Sequence, residues 1–157
     1  MTRRTLSHHI ILPPFDDGLP DTVSRISQAV FGSAEPHRIR WRLTHMPDAS
    51  VLAVRDGEQM VAFKAGYAVS DTKYYSWLGG VLPDYRRRGL ASALMERQHA
   101  WLRARGYGMV ETATNQDNRA MAAANLKHGF LIAGTRRNPD NTQILFLKAL
   151  DAQETDP

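Results

Sequence analysis

Cysteine is absent from the 157 residues of this chain. A disulfide framework and a thiolate nucleophile are therefore excluded, and the absence fits a reducing compartment. No apolar run approaches the roughly 20 residues that a helix needs to cross a bilayer. The amino-terminal residues contain two arginines but are not followed by an apolar segment of signal-peptide length. We therefore expect a soluble cytoplasmic protein with no membrane partner.

Several motifs of common active sites are missing as well. No group of His, Asp and Glu has the spacing of metal ligands, so we expect no metal. There is no Gly-x-Ser-x-Gly elbow of a serine hydrolase. The Gly-Lys-Ser/Thr of a Walker loop and the three spaced glycines of a dinucleotide fingerprint are also absent. The chemistry must therefore be sought outside these classes.

The composition is that of an ordinary globular protein, with 43% hydrophobic and 23% charged residues. The length suits one domain, which we place at residues 1–150, followed by a polar tail at 151–157 that we expect to be disordered. The formal net charge of +4 is compatible with nucleic acid or with a small anion. Much of the excess is local, in Arg86, Arg87 and Arg88 and a few later arginines. We therefore expect a local anion rather than a nucleic acid partner.

Apolar periodicity predicts an alternation of strands and helices. Strands are predicted at residues 6–12, 50–55, 60–69, 73–82, 109–114, 130–135 and 144–150, and helices at 19–31, 36–46, 88–105 and 119–128. Asp21 is a candidate N-cap of the first helix, and Asp56-Gly57 predicts a hairpin. This order predicts a mixed α/β sheet in one domain. The unit from the strand that ends at Val81 to the strand at Met109 is a crossover candidate, which places the intervening loop at the ligand-binding edge of the sheet.

That loop carries the strongest motif of the sequence, GVLPDYRRRGLAS from Gly80 to Ser92. A strand ends at a proline, and a basic turn with a glycine opens an amphipathic helix. Free N–H groups and the dipole at a helix start favour an anion such as a pyrophosphate. Gly89 permits close approach, Ser92 adds a hydroxyl, and the arginines supply forked donors. Taken alone, the three arginines would more simply be a solvated turn.

With its surroundings, this motif resembles the signature of the GNAT acyltransferase superfamily, Arg/Gln-x-x-Gly-x-Gly/Ala. Arg86, Gly89 and Ala91 match the signature, and Val81 and Pro83 match the usual preceding Val-x-Pro. The second marker of the superfamily, an asparagine and a short helix before Gly-Phe, is matched from Asn118 to Phe130. The resemblance covers about residues 50–148.

The resemblance implies a mixed sheet of about seven strands, mostly antiparallel, with a parallel and splayed central pair and about four flanking helices. It implies that acetyl-CoA, or another short acyl-CoA, lies in the splayed pair, and that an amine attacks the thioester directly. A backbone N–H on the strand that ends at Val81 would stabilise the oxyanion. The residues implied to bind the cofactor are Gly80, Val81, Arg86, Arg87, Arg88, Gly89, Leu90, Ala91, Ser92, Asn118 and Asn125.

Asn125 marks a departure from the family, because many members have there a tyrosine thought to protonate the departing thiolate. A water molecule, Tyr74, Tyr75 or Tyr85 would have to replace it. The general base is equally open, and the catalytic candidates are Glu35, Asp71, Tyr75 and Glu111, with His37 and His45 as further possible bases.

The acceptor cannot be chosen from the sequence: a small amine, an amino acid, an antibiotic and a peptide or protein amine all remain open. Trp41 is a candidate on the substrate side, whereas Trp101 belongs to an apolar helix stripe and is expected in the core. His128 is expected at the surface near a helix end. A homodimer is possible. The alternatives are a CoA-binding regulatory module that has lost catalysis, motivated by Asn125, and a nucleic-acid-binding domain, motivated by the basic charge.

Overall fold

Residues 5–150 are described by a computed structural model, and they form seven strands and four helices. The tail at 151–157 lies outside the described residues. The predicted and observed ends of every element agree within two residues. The strands are β1 (Ser7–Ile11), β2 (Ser50–Asp56), β3 (Gln59–Ala68), β4 (Lys73–Val81), β5 (Met109–Asn115), β6 (Leu131–Arg137) and β7 (Thr142–Ala149), and the helices are α1 (Leu19–Phe31), α2 (Pro36–His45), α3 (Leu90–Ala104) and α4 (Arg119–Lys127).

All the strands belong to one sheet with the order β1-β2-β3-β4-β5-β7-β6. Neighbouring strands are antiparallel except for β4 and β5, which are parallel and are joined through α3. The mixed sheet with a parallel central pair, which the resemblance implies, is therefore confirmed. A parallel pair needs such a crossover connection, because a tight turn can only reverse the chain.

The central pair separates along its length, which creates a V-shaped opening that we call the split. Strands β4 and β5 pair only from Lys73 opposite Met109 to Ser76 opposite Thr112, and β4 then continues alone to Val81. The pairing of β4 with β3 shifts register at the same level. Trp77 thus has no opposite residue on β3 and forms a β-bulge.

Helices α1 and α2 cover one face of the sheet, and α3 and α4 lie on the other. We call these the α2 face and the α3 face. On the α2 face, the buried side chains of Val23, Ile26 and Leu43 pack with Phe63 and Ala65. Full burial of one such aliphatic or aromatic side chain contributes about 1.5–3 kcal/mol. This packing fixes the strands on the β4 side of the split.

On the α3 face, one helix packs into two separate apolar clusters. The first half of α3 contributes Leu90 and Leu94 to a cluster with β2 and β3. The second half contributes Leu102 to a cluster with Tyr74 and Phe146. Because residues four apart share one side of a helix, Gln98 lies on the same buried side between them.

The start of α1 differs from the prediction for Asp21. The helix begins at Leu19 after Gly18, Pro20 lies in its first turn, and no side chain caps it. Proline suits the first turn because its missing N–H would have had no acceptor there. Asp21 is therefore not the N-cap, although its carboxylate in the first turn still interacts favourably with the helix dipole.

Candidate functional site

The loop between β4 and α3 is shaped by two left-handed residues. Pro83–Tyr85 forms a short 3-10 turn, and α3 begins at Leu90. Arg87 and Gly89 have φ angles of 63° and 73°. A Cβ atom at Gly89 would meet no atom within 4 Å, so the side of the loop above the glycine is open. Left-handed backbone turns of this kind direct successive N–H groups toward one point.

The backbone N–H groups of this loop are available to a ligand. The N–H groups of Tyr85 and Arg86 bond back into the turn, and that of Ala93 bonds to Gly89. Within residues 5–150, the N–H groups between Arg86 and Ala93 donate to no other group, and α3 has no side-chain cap. With the positive end of the helix dipole, they form a site suited to a phosphate group.

The three arginines of the loop are exposed and differ in their contacts. Arg88 lies over the Tyr85 ring at 5.0 Å and donates to the Asp84 carbonyl at 3.4 Å. Tyr85 in turn donates its hydroxyl to Asp56 on the β2–β3 hairpin, at 2.5 Å. Arg86 and Arg87 form no salt bridge within the described residues. These two guanidinium groups therefore have the most donors left for an anion.

Ser92 and His128 connect the helices on either side of the split. The Ser92 hydroxyl lies 3.1 Å from Nε2 of His128, the C-cap residue of α4. His128 is half-buried in this position, whereas the sequence predicted a plain surface residue. Sequence reasoning missed it because the partners are 36 residues apart and no local pattern marks the contact.

Two asparagines of α4 have well-defined structural partners. Asn118 caps the helix, accepting a hydrogen bond from the N–H of Met121 at 3.2 Å. Asn125 is 2% exposed and donates to the hydroxyl of Thr114 on β5 at 3.1 Å. Thr114 lies two residues beyond Thr112, the last β5 residue paired with β4. The Asn125 side chain thus contacts β5 beyond the end of the β4–β5 pairing. An amide cannot supply a proton there as a tyrosine hydroxyl would.

Gly80 has a packing reason to be a glycine. A Cβ atom there would lie 3.1 Å from Val30 of α1, which is closer than ordinary contact. Gly79 would meet the Phe63 carbonyl at 3.3 Å. From Trp77 to Val81 the edge of β4 that faces the split has no neighbouring strand, so its backbone groups can pair with an extended ligand.

Aromatic and charged side chains converge on the α2 face of the split. The rings of Tyr67 and Tyr75 meet edge to face at 5.5 Å, and Trp77 lies 6.0 Å from Tyr67. The Arg42 guanidinium lies 5.7 Å from the Tyr67 ring and 5.1 Å from the Trp77 ring. Glu111 is opposite Tyr75 in the parallel pairing. We call these five residues the aromatic site.

Charges of both signs act on the aromatic site. Burial raises the pKa of the Tyr67 hydroxyl, the neighbouring Tyr75 and Glu111 add to this rise, and Arg42 and Arg136 oppose it. Glu111 also forms a salt bridge of 2.8 Å with Lys73. The site thus holds a carboxylate, two tyrosines and one guanidinium group, and a second guanidinium group, that of Arg136, acts on it from outside.

The four catalytic candidates are placed differently. Tyr75 and Glu111 are adjacent at the split. Glu35 is exposed at the start of α2 and pairs with Arg38 at 2.8 Å. Asp71 is exposed in the β3–β4 turn, two residues before β4 begins and at the opposite end of the β4–β5 pairing from the split. The structure therefore brings together two of the four candidates.

The other aromatic and histidine candidates have partners of their own. Tyr74 is completely buried, and its hydroxyl contacts Ser50 at 2.6 Å and donates to the Asp48 carbonyl at 3.1 Å. Burial raises its pKa well above the ordinary value, which suits a core residue. Trp41 is 49% exposed and stacks on His45 at 4.7 Å. Trp101 packs edge to face on Tyr74 at 5.8 Å, in agreement with the core position predicted for it.

A layer of polar side chains separates the two apolar clusters on the α3 face. We call Lys64, Ser76, Gln98 and His99 the polar layer. Both amide atoms of Gln98, the hydroxyl of Ser76 and Nε2 of His99 are buried without a hydrogen-bond partner among the described residues. Lys64 lies opposite Gly79, and burial lowers its pKa to about 8. The layer is level with the end of the β4–β5 pairing.

Residues 5–150 contain neither a membrane-spanning helix nor a cluster of metal ligands. None of the helices within residues 5–150 is long and apolar enough to span a membrane. In the same residues, no group of three or more His, Asp or Glu side chains is arranged to hold a metal ion.

Known proteins share this fold. The chain superposes on the ribosomal-protein-S18-alanine N-acetyltransferase of Escherichia coli with a TM-score of 0.79 and 21% identity, covering 96% of this chain and 99% of the other. It also superposes on an acetyl-CoA-bound GNAT family acetyltransferase of Elizabethkingia anophelis. The TM-score is 0.77 at 12% identity, and the superposition covers 94% of this chain and 99% of the other. At these identities the likeness shows the fold alone.

Sequence comparison adds the family. An acetyltransferase of Pectobacterium atrosepticum is 36% identical over 84 residues, which are 53% of this chain. The chain spans 57% of the length of that relative. The sequence profile described as the acetyltransferase (GNAT) family matches residues 20–130, which include the loop, α3, β5 and α4. The profile covers more than half of the chain, and the chain therefore belongs to the acetyltransferase (GNAT) family.

Proposed function

We propose that this protein is an acyl-CoA-dependent N-acyltransferase that transfers an acetyl or other short acyl group to an amine of a small molecule or peptide. One observation carries the proposal. The split opens an unpaired edge of β4, and that edge leads directly into the open helix start at Gly89. Acyl-CoA has the matching shape, because an extended amide-containing arm ends in a pyrophosphate.

The donor would lie along this path. Its pyrophosphate would accept hydrogen bonds from the N–H groups of residues 87–92 and from Arg86 and Arg87. Its amide groups would pair with β4 beside Gly80 and Val81. Arg88, Leu90, Ala91, Ser92, Asn118 and Asn125 complete the set proposed to surround it. Ser92 would act together with His128, since their side chains are in contact.

The reaction would be a direct displacement. The amine nitrogen forms a bond to the thioester carbonyl carbon, the carbon–sulfur bond breaks, and its electron pair stays on sulfur. A backbone N–H at the bulge of β4 would stabilise the oxyanion. Glu111, at the split, would take the proton of the amine directly or through water. Holding amine and thioester in line would supply much of the rate.

The leaving thiolate needs a different proton donor from the family tyrosine. Tyr74 is committed to Ser50 and Asp48 in the core, and Tyr85 is bound to Asp56 on the hairpin. Tyr75 faces the split beside Glu111. We therefore assign the donor role to Tyr75 or to a water molecule. A cytoplasmic location, a homodimer and the absence of a nucleic acid partner remain predictions from the sequence.

Calorimetric titration with acetyl-CoA tests the proposal. We expect micromolar binding by the native protein and none by Gly89→Asp, since the carboxylate would repel the pyrophosphate in the open space above the loop. Gly32→Asp is the matched control, because Gly32 has a φ of 74° and also meets nothing within 4 Å. The control variant should share the backbone strain and keep the affinity.

Duplex DNA serves as a second ligand in the same titration. Binding of DNA with a steep salt dependence, and no binding of acetyl-CoA, would support the nucleic-acid alternative. Binding of acetyl-CoA with no acyl transfer to any amine would support the regulatory alternative. Undiminished affinity in a folded Gly89→Asp protein would contradict the placement of the pyrophosphate.

A further inference from the structure

Arg42 has an unusual position among the arginines of α2. Arg38 pairs with Glu35 at 2.8 Å, and Arg40 pairs with Asp21 at 3.3 Å. Arg42 instead lies across two aromatic rings and forms no salt bridge within residues 5–150. A half-buried guanidinium that lies over two rings is restricted in position, and its fork of donors remains available for a carboxylate.

A second guanidinium acts on the same place from the opposite side of the split. Arg136 on β6 donates from Nε and Nη2 to the Gln143 side chain on β7, at 3.2 and 2.6 Å. Gln143 is neutral, so the positive charge of Arg136 is not compensated there. Gln143 lies opposite Asn115 of β5, on the same face of the sheet as Glu111, since alternate residues of a strand share a face. Arg42 and Arg136 both act on the Tyr67 hydroxyl.

Glu111 supplies the negative charge of this arrangement. The Glu111 carboxylate acts on Tyr67, and the Glu111 side chain is 21% exposed. The Lys73 ammonium lies 2.8 Å from this carboxylate. A ligand at the aromatic site therefore meets guanidinium groups from α2 and β6 and a carboxylate from β5. An α- or β-amino acid carries the complementary charges, a carboxylate within a few ångströms of an ammonium group.

We infer that the acceptor is an amino acid, whose carboxylate binds Arg42 and whose amine lies beside Glu111, facing the split. This inference rests on the proposed function, because it names the acceptor of the same reaction. A simple amine or a protein lysine side chain would leave the Arg42 guanidinium without a carboxylate partner. The amino terminus of a peptide offers a neutral carbonyl where a free amino acid offers a charged group.

The bond changes are those of amide formation. The ammonium group of the amino acid must first lose a proton, and Glu111 is placed to receive it directly or through water. The nitrogen then bonds to the acyl carbon, and the CoA thiolate leaves with the carbon–sulfur electron pair. The nitrogen gives up its second proton to water, and the thiolate takes up a proton from Tyr75 or from a water molecule. The product is an N-acyl amino acid, which keeps its carboxylate on Arg42 but no longer carries the positive charge that attracts Glu111.

A matched set of acceptors tests the inference. The native protein is first incubated with acetyl-CoA and each of the common amino acids, and released CoA is read with a thiol reagent. The chain has no cysteine and gives no background with this reagent. The preferred amino acid is then compared with its carboxamide and with the amine that lacks the carboxylate. We expect kcat/KM to fall about 10- to 100-fold for both, because a charge-assisted hydrogen-bond pair is lost.

Two variants on one helix locate the effect. Arg42→Met keeps an apolar stem over the Tyr67 and Trp77 rings, and it should reduce the preference for the carboxylate toward unity while acetyl-CoA affinity stays unchanged. Arg40→Met is the control, because Arg40 pairs with Asp21 on the exposed side of α2. It should keep the full preference. Thermal unfolding of both variants verifies that the fold is retained.

The outcomes separate this inference from the proposed function. Acetyl-CoA that does not bind in the calorimeter defeats the proposed function itself. If acetyl-CoA binds and the amide or the simple amine reacts as well as the amino acid, the function stands and the inference fails. Acetyl-CoA binding without acylation of any amino acid also overturns it. An Arg42→Met protein that still prefers the carboxylate would show that another group binds it.

Discussion

His99 is a buried histidine surrounded by positive charge. It is 3% exposed, its ring packs at 5.6 Å from Phe130, and its Nδ1 lies 3.3 Å from the Lys148 ammonium. Burial has the largest effect on its pKa, and Lys148, Lys64, Arg103 and His128 act in the same direction, which lowers the pKa to about 3. His99 is therefore neutral in the folded protein at physiological pH.

This neutral histidine predicts a loss of stability in acid. The unfolded chain takes up a proton at His99 near pH 6.5, whereas the folded protein does so only near pH 3. Stability should therefore fall as pH drops through this window, by at most about 1.4 kcal/mol per pH unit from this group. Urea unfolding between pH 7 and pH 4 measures this. The free energy of unfolding of His99→Gln should fall less with decreasing pH than that of the native protein.

Exposed His45 provides the control for this measurement. His45→Gln removes a histidine on the exposed side of α2, and it therefore controls for the loss of an imidazole as such. If the stability of His99→Gln falls as steeply with decreasing pH as that of the native protein, other groups cause the fall.

Single residues also show where sequence reasoning reaches its limit. Gly89 and Asn118 could be predicted because the chain itself turns or begins a helix at these positions. His128 and Arg42 could not, because their partners come from other elements: Ser92 of α3 for one, and rings of β3 and β4 for the other. Contacts between distant segments leave no local pattern to read.

At the scale of elements, α3 is a helix whose buried side is interrupted by an amide. Gln98 is completely buried, and neither of its amide atoms has a partner among the described residues. A buried polar group without a partner costs about 1–3 kcal/mol. The apolar clusters before and after it would tolerate a hydrophobic residue at the same place.

Gln98→Met should therefore stabilise the protein. Methionine has nearly the same shape as glutamine and no polar atoms to satisfy, so we expect a gain of about 1–3 kcal/mol in the free energy of unfolding. Denaturant unfolding measures it. A loss of stability instead would show that ordered water fills the polar layer and bonds to the amide in the native protein.

The elements themselves were predictable because each carries its own signals. The predicted range of α1 matches the structure, and Gly32 ends it with a φ of 74°. The bulge at Trp77 was not predicted, since it depends on the register between β3 and β4 rather than on either strand alone. The cap of α1 was predicted wrongly, because Asp21 suits a cap but proline at position 20 suits the first turn better.

At the scale of the whole molecule, the order of strands is fixed by pairings between distant segments. The order from β1 to β4 follows the chain, and β2, β3 and β4 form a meander, part of which hairpin signals such as Asp56-Gly57 predict. The position of β7 between β5 and β6 has no local signal. The crossover from β4 through α3 to β5 was predicted from the pattern of strand, helix and strand, whereas the splaying of this pair was implied only by the resemblance. The sequence did not indicate where the two central strands separate. In the structure, their pairing stops at Ser76 and Thr112.

The split also gives one continuous strand two different levels of protection against solvent exchange. Residues Lys73 to Ser76 of β4 are bonded between two neighbouring strands, whereas residues 77–81 have a strand on one side only. Amide deuterium uptake followed by mass spectrometry should be faster in the second half of β4 than in the first. A ligand that pairs with the free edge should slow that half selectively and raise the melting temperature with its concentration. Equal uptake along the strand would mean that the two arms of the sheet close in solution, and that the donor must first open them.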